Sequence, residues 1–132
     1  MSIETGIYKL LSADPTVSAQ VGTRITPVIV PEGSSFPAIS YHWVDRPRWG
    51  ALDNPTGTPH ARLQVTCWSQ TFAGAIALCS AVKAALAGYS GLADDTTVQS
   101  ITVIDERDLW EWEISSSGLY RRDIDFEIYF EE

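Results

Sequence analysis

The sequence predicts an α+β protein in which a mostly antiparallel β-sheet carries two main helices on one face. Three observations support this fold class. Apolar residues recur at helical spacing near the N-terminus and again across residues 71–87. Other segments alternate apolar and polar residues with a period of two, as half-buried strands do. These elements follow one another as helices, strands, a helix and strands, without the regular repeat of a βαβ protein.

Length and composition indicate one globular domain spanning residues 1–132. The chain is 45% hydrophobic and 20% charged, which excludes a disordered or collagen-like protein. Two cysteines are too few for a disulfide framework or a zinc site of their own. The first five residues are neither basic nor strongly apolar, so we expect no secretory signal and predict a cytoplasmic chain.

The chain begins with helical signals and then changes to an extended pattern. A favourable N-cap residue and apolar positions every three to four residues predict a helix over residues 3–13. Asp14 and Pro15 then restart a short helix that Gly22 ends. The apolar run over residues 25–30 contains a proline, which confines it to a sheet edge or an extended segment.

Two alternating segments predict a hairpin that carries a long arm. Residues 38–44 and 61–68 each alternate between two faces, and their pairing would form antiparallel strands. The 45–59 segment between them contains three prolines and two glycines and shows no periodicity. We therefore expect it to protrude as an exposed loop or β-hairpin arm.

The strongest helical pattern covers residues 71–87. Alanine dominates this segment and Lys83 interrupts it, so a membrane span is not expected. Cys67 and Cys79 fall on inward positions, and we predict small buried residues rather than a disulfide or reactive thiols. A second stripe of small side chains would allow another element, including one from another subunit, to pack closely: Ala73, Ala77, Ser80, Ala84 and Ala87.

The C-terminal third combines two strand patterns with most of the acidic residues. Residues 98–104 predict a strand, an acidic and aromatic stretch follows over 105–113, and residues 120–130 alternate as the clearest strand in the chain. Residues 94–132 carry twelve acidic and three basic side chains, whereas residues 1–93 have a net charge of +1. This distribution excludes a broad basic DNA-binding surface but leaves local basic loops open.

The acidic positions of the last strand allow two interpretations. Asp123, Asp125 and Glu127 lie on one strand face, about 6–7 Å apart at about 3.3 Å per residue. Three carboxylates at this spacing could hold Mg²⁺ or Ca²⁺. No further ligand motif accompanies them, and alternation already explains them as a solvent-exposed or ring-lining face. We therefore predict no metal and no cofactor.

Nothing in the sequence predicts an enzyme. The chain has no G-x-S-x-G nucleophile elbow and no glycine-rich phosphate loop. His42 and His60 stand in no recognisable relation to a serine or cysteine. A triad of residues distant in sequence stays open, because sequence order does not fix spatial neighbours.

Two aromatic clusters are candidates for a subunit or partner interface. The predicted arm carries the first, which consists of Arg46, Arg48 and Trp49. The acidic stretch carries the second, which consists of Leu109, Trp110 and Trp112. Trp and Arg are the residues that most often anchor protein interfaces. Packing within the subunit is the alternative for both clusters, and nucleic-acid contact is a further one for the two arginines.

Six segments are spread in a set order and spacing over nearly the whole length of the chain: Ile7–Asp14, Val21–Ile25, Pro37–Tyr41, Arg62–Trp68, Ala75–Leu86 and Gly118–Phe126. In these segments the chain resembles the tail completion, or tail-terminator, family of long-tailed bacteriophages and of phage-like particles such as gene transfer agents. The residues that carry the resemblance mostly specify the fold. The family has no catalytic residues that could be assigned to positions of this sequence.

The resemblance implies a small α+β subunit that forms a ring, typically a hexamer, at the head-proximal end of the tail tube. Such a ring ends tube polymerisation and provides the surface to which the filled head docks. The implied partners are further copies of this chain, the major tail tube protein and the head–tail connector. DNA would pass through without specific binding, and no membrane is involved.

On this basis we expect the arm of one subunit to reach the acidic C-terminal third of the next. The face that carries Asp123, Asp125 and Glu127 is then a candidate to line the channel. The alternatives are a head-side connector or stopper protein, a small-ligand-binding domain of ordinary metabolism, and an enzyme.

Overall fold

A computed structural model describes residues 3–29, 35–45, 60–93, 96–111 and 119–131 of the chain. These residues contain three helices and six strands. In chain order they are α1 (Ile3–Ala13), α2 (Pro15–Val21), β1 (Ile25–Pro27), β2 (Ala38–Asp45), β3 (His60–Ser69), α3 (Phe72–Leu86), β4 (Gly91–Ala93), β5 (Thr96–Glu111) and β6 (Leu119–Glu131).

The six strands form one sheet in the order β1-β2-β3-β6-β5-β4. β1 and β2 are parallel, and every other neighbouring pair among the described strands is antiparallel. The central strands are therefore β3 and β6, with the β2–β3 hairpin on one side and the β5–β6 hairpin on the other. This arrangement confirms the predicted α+β class and its mostly antiparallel sheet.

Polar side chains fix the starts of two helices. Asp14 caps α2, because its Oδ1 accepts hydrogen bonds from the backbone N–H groups of Thr16 at 2.9 Å and Val17 at 3.0 Å. Thr71 caps α3 in the same way, because its Oγ1 accepts from the Gly74 N–H at 3.0 Å. Both helices therefore begin where the sequence predicts.

One hydrophobic core lies between the helices and one face of the sheet, which we call the helix-covered face. The inward residues of β6 are each at most 1% exposed, as its period of two predicts: Ile124, Phe126, Ile128 and Phe130. Ile7 of α1 and Leu78 of α3 belong to the same cluster. Burying a side chain of this size contributes about 1.5–3 kcal/mol, so the core is the main source of stability.

The approach of α1 to the sheet depends on a glycine. Gly6 is buried where α1 lies against β4. A Cβ atom at this position would stand 2.6 Å from the Ala93 carbonyl oxygen and 2.8 Å from the Ala93 Cβ. The absence of a side chain therefore sets the distance between this helix and the edge of the sheet.

The structure differs from the prediction at β5. This strand runs from Thr96 to Glu111 and includes most of the acidic stretch that we expected to follow a strand over residues 98–104. Its register against β6 shifts twice, the second time between Val103 and Asp105. Because a bulge changes which residues share a face, one alternating pattern cannot extend through it.

The register places the two predicted interface segments at opposite ends of the sheet. Asp45 ends β2 and His60 begins β3, and His60 pairs with Tyr129 near the end of β6. Glu111 pairs with Leu119 at the start of β6. The chain therefore enters residues 46–59 at one end of the sheet and residues 112–118 at the other.

Candidate interaction site

The structure describes only part of the two predicted interface clusters. Four of their members lie outside the described residues: Arg46, Arg48, Trp49 and Trp112. The backbone of Leu109 and Trp110 belongs to β5, in register with Arg121 and Tyr120 of β6. These two residues therefore stand on a strand, and their role at an interface stays a prediction.

Asp123 and Asp125 lie on the face of the sheet opposite the helices, which we call the helix-free face. Each residue is only 2% exposed, whereas Glu127 is half-buried. The expected solvent-exposed acidic face is thus corrected for the first two carboxylates. The alternating pattern of β6 correctly places the two aspartates on one face of the strand. It cannot show that long side chains from the neighbouring strands cover that face.

Two arginines on flanking strands hold the Asp125 carboxylate. Arg62 of β3 donates to Asp125 Oδ2 through Nη2 at 2.6 Å and through Nε at 3.1 Å. Arg107 of β5 donates to Asp125 Oδ1 through Nη2 at 3.1 Å and to Oδ2 through Nη1 at 3.2 Å. Three strands are therefore joined through one carboxylate by charge-assisted hydrogen bonds.

Asp123 has a separate set of donors. Its Oδ1 accepts from the Thr66 hydroxyl at 3.0 Å and from Arg121 Nε at 3.1 Å, and its Oδ2 accepts from Arg121 Nη2 at 3.2 Å. The Arg121 guanidinium also lies 5.5 Å from the centre of the Trp68 ring, a cation–π distance. Both buried carboxylates are thus satisfied by hydrogen bonds, as buried charges require.

We call Arg62, Arg107, Arg121, Asp123 and Asp125 the arginine–aspartate network. Its carboxylates are 2–3% exposed, whereas the side chains of Arg62 and Arg107 are each 40% exposed. Solvent on this face therefore meets guanidinium groups that lie over carboxylates. Sequence reasoning missed the three arginines, although the sequence places Arg121 two residues before Asp123 and so on the same strand face.

The network controls the ionisation of Asp125. Burial alone raises the pKa of this carboxyl, but hydrogen bonds and positive charge from Arg107 and Arg62 outweigh burial and hold the pKa below its ordinary value. The hydrogen bonds to Asp125 are also the main reason that the pKa of Arg107 is raised. Asp125 and Arg107 are therefore both ionised at neutral pH.

A second ion-pair cluster joins α3 to the β5–β6 hairpin on the helix-covered side. Arg122 donates to both carboxylate oxygens of Asp108, at 2.5 Å and 2.9 Å, and these bonds lower the pKa of Asp108. Lys83 of α3 pairs with Glu106 of β5 at 3.1 Å. The acidic stretch is thus partly neutralised by basic residues of the same subunit.

Both cysteines are free and buried, as predicted. Burial raises the pKa of the Cys67 thiol well above its ordinary value. Burial also raises the pKa of Cys79, whose Sγ lies 3.6 Å from Glu106 Oε1. Both residues are therefore protonated at neutral pH and pack as small apolar side chains.

The described residues offer neither a metal-binding cluster nor a membrane-spanning helix. Across those residues, no three His, Cys, Asp or Glu side chains are grouped so that they could hold a metal ion. None of the described helices combines the length and the apolar character needed to cross a membrane. The polar side chains gathered on the helix-free face are instead joined to one another.

The described residues define a small α+β domain built around one six-stranded, mostly antiparallel sheet. Residues 5–131 match the family model described as "Tail completion protein gp17", so the chain belongs to that family. It is accordingly a structural protein of a phage or phage-like tail. A search of curated protein sequences gives no match.

A solved structure supports the fold. The chain is similar to a protein chain in a structure titled "Virion of native gene transfer agent (GTA) particle", with a TM-score of 0.66 and 20% sequence identity. The match covers 96% of this chain and 92% of the other chain. The two proteins therefore share an overall fold along nearly their full lengths.

Proposed function

We propose that this protein caps the head-proximal end of a tail tube as a ring, typically of six subunits. In that position it ends polymerisation of the tube and offers the surface to which the filled head docks. The observation that carries this proposal is the tail completion family match over residues 5–131. The virion title of the similar structure agrees with a place in an assembled particle.

A closed ring of identical subunits needs a heterologous contact, in which one patch meets a different patch on the next copy. A stable contact of this kind buries about 800 Å² per partner. The two predicted interface clusters belong to segments that leave opposite ends of the sheet. They thus supply two different patches, as head-to-tail closure requires, with the arm of one subunit reaching the acidic C-terminal third of its neighbour.

The helix-free face is our candidate for the channel wall, and Asp123, Asp125 and Glu127 lie on it. Asp123 and Asp125 are covered by three arginines, so their charges are offset locally. DNA passing such a wall meets no cluster of uncompensated basic groups, which tight phosphate binding requires. A subunit with net charge −8 also repels DNA at longer range. DNA therefore slides through without a specific site.

The partners that follow are the major tail tube protein on one surface of the ring and the head–tail connector on the other. The test is electron microscopy of particles produced with and without this gene. We expect tails of uncontrolled length without heads in its absence, and normal particles when the gene is added back. Tails of normal length joined to normal heads in its absence would contradict the proposal.

A further inference from the structure

β5 changes its mode of attachment to the sheet at the bulge between Val103 and Asp105. Before the bulge the strand contributes to the hydrophobic core, because Val98 and Ile101 are each at most 2% exposed and Val103 packs against the core. After the bulge no described side chain of the strand is buried. Ile104 is 43% exposed, and each of the next four residues carries a charge. The second part of the strand therefore gains little from apolar burial.

Two ion pairs hold this second part of β5 on the helix-covered side. Lys83 Nζ of α3 lies 3.1 Å from Glu106 Oε2, and Arg122 Nε of β6 lies 2.5 Å from Asp108 Oδ1. The side chains of Lys83 and Glu106 are one-third exposed, and that of Asp108 is about half exposed. Ion pairs with this exposure are weak and are screened by dissolved salt.

Arg107 links the same part of β5 to the sheet on the helix-free face. Its guanidinium donates to both carboxylate oxygens of Asp125 on β6 and reaches Gln64 Oε1 on β3 at 3.1 Å. The Arg107 side chain is 40% exposed, whereas that of Asp125 is 3% exposed. Separation of this part of β5 would therefore remove one guanidinium from Asp125 and open a buried carboxylate to solvent.

The backbone of the second part of β5 is paired on one side within the region that the structure describes. β6 pairs with it through Asp105–Glu111. On the outer side, β4 pairs only with Thr96–Val98, and the Gly88 N–H donates to the Ile101 carbonyl at 2.9 Å. A strand segment with few buried apolar contacts opens at a lower free energy than the core strands of the same protein.

We infer that β5 from Ile104 to Glu111 is a salt-sensitive latch, which separates from β6 while the core stays folded. The bulge is its hinge, because the regular ladder is interrupted there. The closed latch covers Asp125 with Arg107, and the open latch exposes that carboxylate and makes the helix-free face more acidic. The latch belongs to a single subunit, so the inference goes beyond the proposed tail cap and does not depend on a ring.

Dissolved salt acts on the latch and on the core in opposite directions. The chain has a net charge of −8, so screening weakens its self-repulsion and favours the folded core. The same screening weakens the exposed ion pairs that hold the latch closed. The latch should therefore open more often as the salt concentration rises, whereas the core should open less often.

Amide hydrogen exchange of the free full-length protein, followed residue by residue by NMR, tests the inference. Sodium chloride is raised from about 0.1 M to about 1 M, which shortens the Debye length from about 10 Å to about 3 Å. We expect the amides of Arg107 and Asp108 to exchange about three times faster at the higher salt concentration, and those of β3 to exchange no faster. Lys83→Met should produce a rise of about threefold at low salt, because it removes one ion pair. Lys83→Arg keeps the charge and is the matched control.

Three results would overturn the inference. Equal exchange rates for β5 on the two sides of the bulge, or slower exchange of the latch at high salt, would mean that the whole strand opens with the core. Equal latch exchange in Lys83→Met and Lys83→Arg would mean that ion pairs do not hold the latch. Because each measurement uses the free protein, failure of the proposed tail cap in particles would leave these results unchanged.

Discussion

Arg62 Nη2 lies 2.6 Å from Asp125 Oδ2 on the helix-free face of the sheet, and the Asp125 side chain is only 3% exposed. Arg107 binds the same carboxylate from the opposite strand, at 3.1 Å. The bond therefore belongs to a bridge across β3, β6 and β5 that fixes the relative position of the three longest strands.

Replacing Asp125 by Asn should weaken the sheet without changing its shape. The substitution removes the charge that Arg62 and Arg107 share, and charge-assisted hydrogen bonds contribute about 1.5–3 kcal/mol when buried. Because both arginines are partly solvated, we expect the free energy of unfolding to fall by about 2 kcal/mol. Urea denaturation measures this loss. Glu127→Gln on the same strand face is the matched control, with an expected change within about 0.5 kcal/mol.

The stability should also fall in acid for the same reason. The pKa of Asp125 in the folded protein lies below the value of about 3.9 for an unfolded aspartate, and the pKa of Asp108 is lowered too. The ionised carboxylates therefore stabilise the fold fully above about pH 4, and this stabilisation is lost as pH falls through the folded-state pKa. The readout is the urea midpoint as a function of pH. Asp125→Asn should show a shallower acid decline, and parallel curves for the two proteins would contradict the assignment.

Gly6→Ala tests the close approach of α1 to β4. Helix propensity alone would make alanine more stable by about 1 kcal/mol. The added Cβ would stand 2.6 Å from a backbone oxygen of Ala93, so the helix must shift. Overpacking of this kind costs about 1–3 kcal/mol, and we expect a net loss of stability in thermal unfolding. Lys9→Ala, an exposed change on the same helix, should have little effect, and a gain for Gly6→Ala would disprove the tight contact.

Replacing Arg46, Arg48 and Trp49 together by Ala tests the proposed arm contact. The sequence predicts an exposed arm for the segment that carries these residues, so the circular dichroism spectrum and the unfolding midpoint should stay unchanged. Assembly on tail tubes should be lost, because the variant lacks both the charges and the aromatic anchor. Thr56→Ala with Thr58→Ala, in the same segment, is the control and should assemble normally. Normal assembly of the triple variant would refute the contact.

Periodicity predicted the regular parts of this fold and failed where the register shifts. The inward residues of β6, the cap at Asp14 and the buried cysteines all agree with the structure. The full length of β5 was missed because a bulge interrupts its alternation. The three residues of β4 are too few to form a pattern.

The candidate site was predicted less completely than the fold. Alternation placed Asp123 and Asp125 on one face, yet it could not show that Arg62 and Arg107 cover Asp125. That arrangement depends on the pairing of β6 with both β3 and β5, which joins residues far apart in sequence. Charge balance on a sheet face thus becomes predictable only when the strand order is known.

The location of the protein on the tail tests the proposed function most directly. An affinity tag placed after Glu132 and marked with gold would show the position of the protein by electron microscopy of isolated tails and complete particles. We predict one cluster of label at the head-proximal end of each tail, and at the junction with the head in complete particles. Label along the tube or at the distal tip, or on heads that lack tails, would contradict a cap on the tail tube.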